Sequence, residues 1–300
     1  MKLISKEIKS KYGKKILFDE ALANYSWFNL GGPSEVFFKP NSLEDIIFFF
    51  KNVKAKNITI LGAGSNTLIR DGGVKGITIK LSSQFSHLNL LSSNIIEAGA
   101  ATLDKKIADF ALANSLTGFE FLACIPGSIG GAIRMNSGCY GEDISQILHS
   151  IKVVDLLGNK KDILASDIKF YYRDSDLNQN LIITSVKLKG LVSSKEIIQN
   201  KQQTLVEQKK KSQPSQIKTC GSTFKNTKNK KAWELIKESN CQNYQIGSAK
   251  ISEKHCNFFV NEGKATAKNL EDLINKVKEI VYQKTKINLE LEIKIIGHNS

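Results

Sequence analysis

The stretch Ile60-Leu-Gly-Ala-Gly-Ser-Asn-Thr-Leu-Ile-Arg-Asp-Gly-Gly73 follows the strand-like Asn57-Ile-Thr59, and its reading decides the fold. A Rossmann dinucleotide loop would run Gly-x-Gly-x-x-Gly into a helix, the third glycine allowing close helix packing. Here Thr67 takes the third slot, and the chain passes through the turn cluster Arg70-Asp-Gly-Gly73 into the strand-like Gly76–Leu81. Both helix criteria fail. What survives is general: glycines let backbone N–H groups approach a phosphate, and Ser65 and Asn66 add side-chain donors. The segment reads as a phosphate-cradling loop between two strands, with a plain turn as the alternative.

Working outward, 300 residues suffice for a substantial core and two or three subdomains. No apolar run approaches the roughly 18 residues of a membrane span, and Ile46-Ile-Phe-Phe-Phe50 is far too short. The first 15 residues mix Lys with apolar residues and lack the continuous apolar stretch of a signal peptide. A cytoplasmic protein is the simplest expectation. Cys124, Cys139, Cys220, Cys241 and Cys256 are widely spaced, without a C-x-x-C pair or a nearby His in ligand spacing, so reduced thiols and no metal site are expected.

The net charge of +14 invites a nucleic-acid reading. Most of the lysines are scattered along helix faces, however, so a solvated surface is the simpler account and no nucleic-acid partner is expected. One cluster stands apart. Lys209, Lys210, Lys211, Lys218, Lys225, Lys228, Lys230 and Lys231 share a stretch with no acidic residue, which suits a small polyanion such as a nucleoside diphosphate.

Ser42-Leu-Glu-Asp45 opens a helix whose apolar face runs through Ile46, Phe49, Phe50 and Val53. Strands are expected near 58–61, 76–81, 94–98, 151–157 and 181–189, with a helix over 103–116. A polar helix near 194–211 leads to a C-terminal unit with a clear helix over 267–285, and a strand over 289–296 closes the chain. The pattern is α+β, with a nucleotide-binding N-terminal two-thirds and a smaller C-terminal domain.

A second glycine-rich region, Gly118 to Gly141, contains Ile125-Pro-Gly-Ser-Ile-Gly-Gly-Ala132 and Met135-Asn-Ser-Gly138. So little side-chain bulk suits a backbone surface pressed on a flat ligand. Two such loops suggest one extended ligand carrying a diphosphate; two unrelated turns are the alternative.

These loops, together with Tyr25-Ser-Trp-Phe-Asn-Leu-Gly-Gly-Pro33, Tyr172-Arg-Asp-Ser175, Gly221-Ser-Thr-Phe-Lys-Asn226, Ile251–Asn261 and Leu291-Glu-Ile-Lys-Ile-Ile-Gly297, resemble the bacterial UDP-N-acetylenolpyruvoylglucosamine reductases in order along nearly the whole chain. The resemblance implies a cytoplasmic FAD enzyme of peptidoglycan precursor synthesis: NADPH reduces the flavin, and the enolpyruvyl group of UDP-N-acetylglucosamine enolpyruvate is then reduced to give UDP-N-acetylmuramate. It implies an FAD-binding domain of the vanillyl-alcohol-oxidase type, residues 1–200 with two α/β subdomains at about 1–57 and 58–193, followed by a smaller α+β substrate-binding domain over 205–300. Because the loop from Ile60 to Gly73 has no His, the FAD is expected to be non-covalent.

The same resemblance assigns FAD contacts to Gly62, Ala63, Gly64, Ser65 and Asn66, and to Pro126, Gly127, Ser128, Gly130, Gly131, Asn136, Ser137 and Gly138. Arg173 matches the catalytic arginine, Ser222 the proton donor and Glu292 the third catalytic residue. Asn226 matches a substrate contact, Lys225 lies beside it, and Lys210 or Lys211 is a further diphosphate partner. Each role makes chemical sense. Hydride delivery to an enol ether conjugated to a carboxylate builds negative charge that a guanidinium can hold through two parallel bonds. The other carbon then needs a proton, for which a serine must be activated or act as a relay. Glu292 falls on the polar face of an alternating apolar–polar run.

Two departures stand out. Thr227 replaces the family's usual proline, and the short interval between Arg173 and Ser222 resembles the branch without the tyrosine-bearing substrate-closing loop. A monomer is expected, although nothing in the sequence fixes the oligomeric state. The rival reading is an FAD-dependent oxidase of the same fold, which would share the glycine loops but has no reason to keep Gly-Ser-x-Phe-Lys-Asn, the lysine cluster and Glu292 together.

Overall fold

Ser42 Oγ accepts the backbone N–H of Asp45 at 3.1 Å and opens the helix Leu43–Asn52 as its sequence signal predicts. The buried face of that helix, Ile46, Phe49 and Phe50, packs on a four-stranded sheet in the order Ile16–Ala21, Pro33–Phe38, Val74–Ile79, Ile58–Ile60. Phe38 and Phe49 stack with ring centroids 4.1 Å apart. The computed structural model describes residues 4–54 and 56–300.

A five-stranded antiparallel sheet follows, in the order Lys160–Leu164, Leu148–Val154, Ile182–Lys189, Ile95–Gly99, Leu88–Ser92. Ile96, Ala98, Ile151, Val153, Val186 and Leu188 fill its core with Ile107, Ala108 and Ala111 of the helix Asp104–Ala113 and with Ile129 and Ile133 of the short helix Ile129–Arg134. The strands Ile58–Ile60 and Val74–Ile79 belong to the first sheet, so the division between the two sheets falls after Ile79 and not at the expected 57.

The chain forms two compact units, and neither is contiguous. The first comprises the segments up to Phe18, Val36–Ala63 and Gly76–Lys209; the second comprises Asp19–Glu35, Gly64–Lys75 and Lys210–Ser300. A single cut between 200 and 205 therefore misplaces two early segments, for reasons visible inside the second unit. Asp71 caps the helix Ala267–Thr285, its carboxylate accepting the N–H groups of Ala267 and Lys268 at 2.9 Å each. Arg70 forms a two-pronged pair with Glu271 at 2.8 and 2.7 Å, and Asn261 donates to the carbonyl of Phe28 at 2.9 Å. The long helix buries Leu270, Leu273, Ile274, Val277 and Val281 in a core shared with Phe28, Leu68, Phe224 and Phe259.

The expected strand over 289–296 is a strand only at Lys294–Ile296, which runs parallel to Thr67–Ile69. Upstream the same segment serves a different partner: Leu291 bridges Phe224, Lys225 N–H donates to the Glu290 carbonyl at 2.8 Å, and Glu292 N–H to that of Thr223 at 2.9 Å. A segment that changes partner halfway cannot stay one regular strand. Among the described residues, no helix is long and apolar enough to cross a membrane, and no group of His, Cys, Asp and Glu is placed to hold a metal ion.

Candidate active site

In the first unit the two glycine loops lie together. A Cβ added to Gly62 would sit 3.2 Å from Ser128 Oγ and 4.0 Å from Gly131 Cα. Pro126 and Gly127 lead into this contact, and the Gly130 N–H donates to the Ala100 carbonyl at 3.0 Å. Among the described residues, the backbone N–H groups of Gly62, Ala63, Gly127 and Ser128 donate no hydrogen bond, whereas Leu61 N–H binds the Ile79 carbonyl and Ile129 N–H that of Thr102. Backbone donors are almost always paired when buried. Four open N–H groups on two adjoining glycine loops fit an anionic ligand, and a diphosphate matches in charge and acceptor number. The loop Gly62–Asn66 passes into the second unit between Ala63 and Gly64. There Gly64 has φ +71°, and a Cβ on it would strike the Tyr25 carbonyl.

Asn136, Ser137 and Gly138 continue the first unit's share. Asn136 is buried with both ends of its amide engaged: Oδ1 accepts Ser145 N–H at 3.0 Å and Nδ2 donates to the Tyr171 carbonyl at 3.2 Å. That second bond anchors the hairpin Phe170–Tyr171/Asp174–Ser175, whose tip is Tyr172-Arg173. Ser175 Oγ fastens the far side, donating to the Arg134 carbonyl at 3.0 Å. Arg173 has φ +57°, a left-handed conformation that costs a side-chain-bearing residue about 1–2 kcal/mol. Its guanidinium donates to the Gly138 carbonyl at 2.5 Å. The side chain of this left-handed arginine is thereby tethered to the glycine-rich loop.

In the second unit the backbone after Ser222 pairs with the segment that carries Glu292. Ser222 bridges Phe258, and Thr223 N–H donates to the Asn257 carbonyl at 2.8 Å. Asn257, buried, clamps Phe224 through both backbone groups at 3.0 and 2.8 Å. Opposite, the Glu292 N–H bond to Thr223 sets Glu292 one residue from Ser222 in register. Glu290 and Lys294 are exposed whereas Glu292 is half-buried. Asn66 joins here: its amide donates to the Glu292 carbonyl at 3.0 Å, and its own carbonyl accepts Lys294 N–H at 2.9 Å. Asn226 Oδ1 accepts Ala232 N–H at 3.0 Å at the start of the helix Ala232–Glu238. Lys225 is half-buried and Lys210 exposed, neither in an ion pair among the described residues. Ser65 is half-buried.

Several residues carry no sequence signal. The Lys80 ammonium donates to the Gly62 carbonyl; burial, reinforced by Lys39, lowers its pKa to about 8. Asp104 is wholly buried, neither carboxylate oxygen has a partner, and desolvation pushes its pKa well above the ordinary carboxylate value. Lys209, from the lysine cluster, turns inward to the Cys124 carbonyl at 2.6 Å. Cys124 and Cys139 share a thiol hydrogen bond that lowers the Cys124 pKa and, with burial, raises that of Cys139.

Fold and site together define a flavoprotein oxidoreductase: residues 34–162 match the family model of the FAD binding domain. Residues 213–296 match that of the UDP-N-acetylenolpyruvoylglucosamine reductase C-terminal domain. The UDP-N-acetylenolpyruvoylglucosamine reductase of Pelagibacter ubique is 46% identical over 295 residues, covering 97% of this chain and 98% of that protein. The chain belongs to the UDP-N-acetylenolpyruvoylglucosamine reductase family. The reductase of the same name from Wolbachia pipientis wMel is 42% identical over 281 residues, covering 93% and 95%. The crystal structure of the UDP-N-acetylenolpyruvylglucosamine reductase from Thermus caldophilus superposes with a TM-score of 0.82 at 30% identity, covering 94% of this chain and 98% of that one.

Proposed function

We propose that this chain is an NADPH-dependent flavoenzyme that reduces the enolpyruvyl group of UDP-N-acetylglucosamine enolpyruvate to UDP-N-acetylmuramate, working in the cytoplasm, as a monomer, on peptidoglycan precursors. Residues 1–200 are assigned mainly to FAD and 205–300 to the UDP-sugar. The observation that supports the reading is the backbone pairing of Thr223, Phe224 and Lys225 with Glu290, Leu291 and Glu292, which joins the two matching motifs within one unit.

FAD fits the first unit's open N–H groups through its diphosphate, cradled by Gly62, Ala63, Pro126, Gly127, Ser128, Gly130 and Gly131, with Gly64, Ser65 and Asn66 continuing the loop. Asn136, Ser137 and Gly138 shape its edge. When bound and reduced by NADPH, it supplies the hydride. The chain's own residues do the rest. The Arg173 guanidinium, pre-set by its hairpin, meets the carboxylate onto which charge spreads, and preorganised charge of this kind is often the largest contribution to rate. Ser222 Oγ–H delivers the proton to the other carbon, and Glu292, one register step away, orients that hydroxyl or the enol and raises its readiness to donate. Lys225, Asn226 and Lys210 are assigned to the substrate's diphosphate and sugar; lysine serves phosphate as a point charge.

The oxidase reading is disfavoured by the match of the C-terminal third to the reductase family. An anaerobic absorbance trace tests the proposal: NADPH bleaches the protein-bound flavin, and added UDP-N-acetylglucosamine enolpyruvate restores its colour at once. A flavin that stays reduced until air enters would sink the reductase reading.

A further inference from the structure

Two thiols meet within the glycine-rich region of the first unit. Cys124 closes the helical turn Glu120–Cys124, immediately before Ile125-Pro-Gly127, and Cys139 ends the short strand Gly138–Cys139. The Cys139 S–H is shared between the Phe121 carbonyl, at 3.4 Å, and the Cys124 sulfur. Both side chains pack in the same apolar core, and neither is in a disulfide. The Lys209 ammonium is fixed beside them by its bond to the Cys124 carbonyl at 2.6 Å. Donation by Cys139, helped by the Lys209 charge, leaves Cys124 more acidic than an ordinary thiol despite its burial. The thiolate is the form that attacks an oxidant, and a second thiol within reach turns the first product into a disulfide. Cys124 is 4% exposed and Cys139 half-buried, which admits a molecule as small as hydrogen peroxide and excludes one as bulky as glutathione disulfide. Movement at Cys139 has a definite destination. Strand Gly138–Cys139 pairs with Glu142–Asp143, and the Gly138 Cα face lies against the Glu142 carbonyl and Asp143, so Cys139 cannot shift without Gly138. The Gly138 carbonyl is the acceptor that holds the Arg173 guanidinium.

We propose that Cys124 and Cys139 are a reversible oxidation site: hydrogen peroxide converts the pair to a disulfide, and closing that bond moves Gly138 and with it Arg173, which halts turnover until a dithiol reductant reopens it. The bond itself is independent of the function proposed above; its effect on turnover rests on that reading. The Cys124 sulfur attacks one peroxide oxygen and the O–O bond breaks. One oxygen stays on sulfur as a sulfenic acid, and the other leaves as hydroxide, which takes up the proton the thiol lost. The Cys139 sulfur then attacks the Cys124 sulfur, the S–O bond breaks, and the departing hydroxide takes the Cys139 proton to give a second water. The two thiols have given up a pair of electrons and the peroxide has received them. Bringing hydrogen-bonded sulfurs to bonding distance shifts their backbones by roughly 1–2 Å, and a misplacement of about 1 Å at a catalytic group costs about a hundredfold in rate.

The experiment treats the full-length holoenzyme with hydrogen peroxide or with glutathione disulfide, then reads alkylated intact mass, peptide maps and turnover before and after dithiothreitol. With peroxide, the five alkylatable thiols should fall to three as Cys124 and Cys139 join with loss of two hydrogens, and turnover should fall about a hundredfold. Dithiothreitol should restore both, and glutathione disulfide should change neither. Cys124→Ala and Cys139→Ser should turn over like the wild type and keep that turnover through the same peroxide dose. Oxygen added to a single thiol without loss of hydrogen, or a bond made by Cys220, Cys241 or Cys256, would overturn the site; the wild-type mass spectrum decides this even if both variants fail to fold. A Cys124–Cys139 bond that leaves turnover unchanged, or equal inactivation of the wild type and both variants, would overturn the switch. A chain that forms the bond but never turns over would remove the flavoenzyme reading and leave the oxidation site standing.

Discussion

Gly131 offers a test in which stability and cofactor binding move in opposite directions. It lies inside the helix Ile129–Arg134, and a Cβ added there would meet only Ser128 Oγ, at 3.9 Å, an ordinary van der Waals distance. The protein itself therefore accepts Gly131→Ala. Replacing a mid-helix glycine by alanine is worth roughly 0.5–1 kcal/mol, which for a chain of this size raises Tm by about 1–3 °C. If the diphosphate lies against this face, the same methyl enters its space. Overpacking by one methyl typically costs about 1–3 kcal/mol, or roughly a five- to hundredfold weaker Kd. Calorimetry of flavin-free protein reads the first effect and fluorescence titration with FAD the second. A variant that is more stable and binds FAD undiminished would refute the placement of the cradle, and a variant destabilised without FAD would refute the packing argument. Gly64 and Gly130 are poorer probes. An added Cβ would strike the Tyr25 carbonyl at Gly64 and crowd Ala100 at 3.0–3.1 Å at Gly130, so their loss would damage the fold itself.

Arg173→Gly relieves about 1–2 kcal/mol of left-handed backbone strain but removes the guanidinium's bond to the Gly138 carbonyl, a loss of similar size, so Tm should change little while turnover collapses; retained turnover would take Arg173 out of the chemistry. Ser222→Ala should leave flavin reduction by NADPH untouched and slow reoxidation by substrate by about 10²- to 10⁴-fold; stopped-flow traces slowed equally in both halves would contradict a proton-donor role. Asp104 has a raised folded-state pKa, so its contribution is fully present below the unfolded carboxylate range and is lost as pH rises through the folded value. Asp104→Asn should therefore gain Tm over the wild type at pH 8 and gain little or nothing at pH 5, and parallel melting curves at the two pH values would show that Asp104 does not titrate in the fold.

Much of this was legible in the sequence where the determinant is local. Ser42 capping its helix, the apolar stripe of 267–285 and the glycine loops are short-range patterns, and each forms close to its expected limits. Pairings across long separations were not legible. Nothing near Arg70-Asp71 announces that these side chains pair with Glu271 and cap a helix two hundred residues on. A motif match also cannot tell whether an amide faces a ligand or a neighbour's backbone: Asn66, Asn136 and Asn226 all have side chains engaged with main-chain groups. Lys80 was invisible for a related reason, because a lysine after a strand reads as solvent-facing until the fold buries it.

The interleaving of the two units also bears on how such a chain can be inherited. The strand Lys294–Ile296 has as its partner Thr67–Ile69, and Asn261 is tied to Phe28. A gene fragment encoding only the last third would yield a polypeptide without its own edge partner, and one lacking that third would leave Thr67–Ile69 and Asp71 with nothing to hold. Shuffling the C-terminal part as a cassette between genes would separate Lys294–Ile296 from Thr67–Ile69 and Asn261 from Phe28, so this unit diversifies by substitution within one uninterrupted reading frame and not by exchange of its last segment.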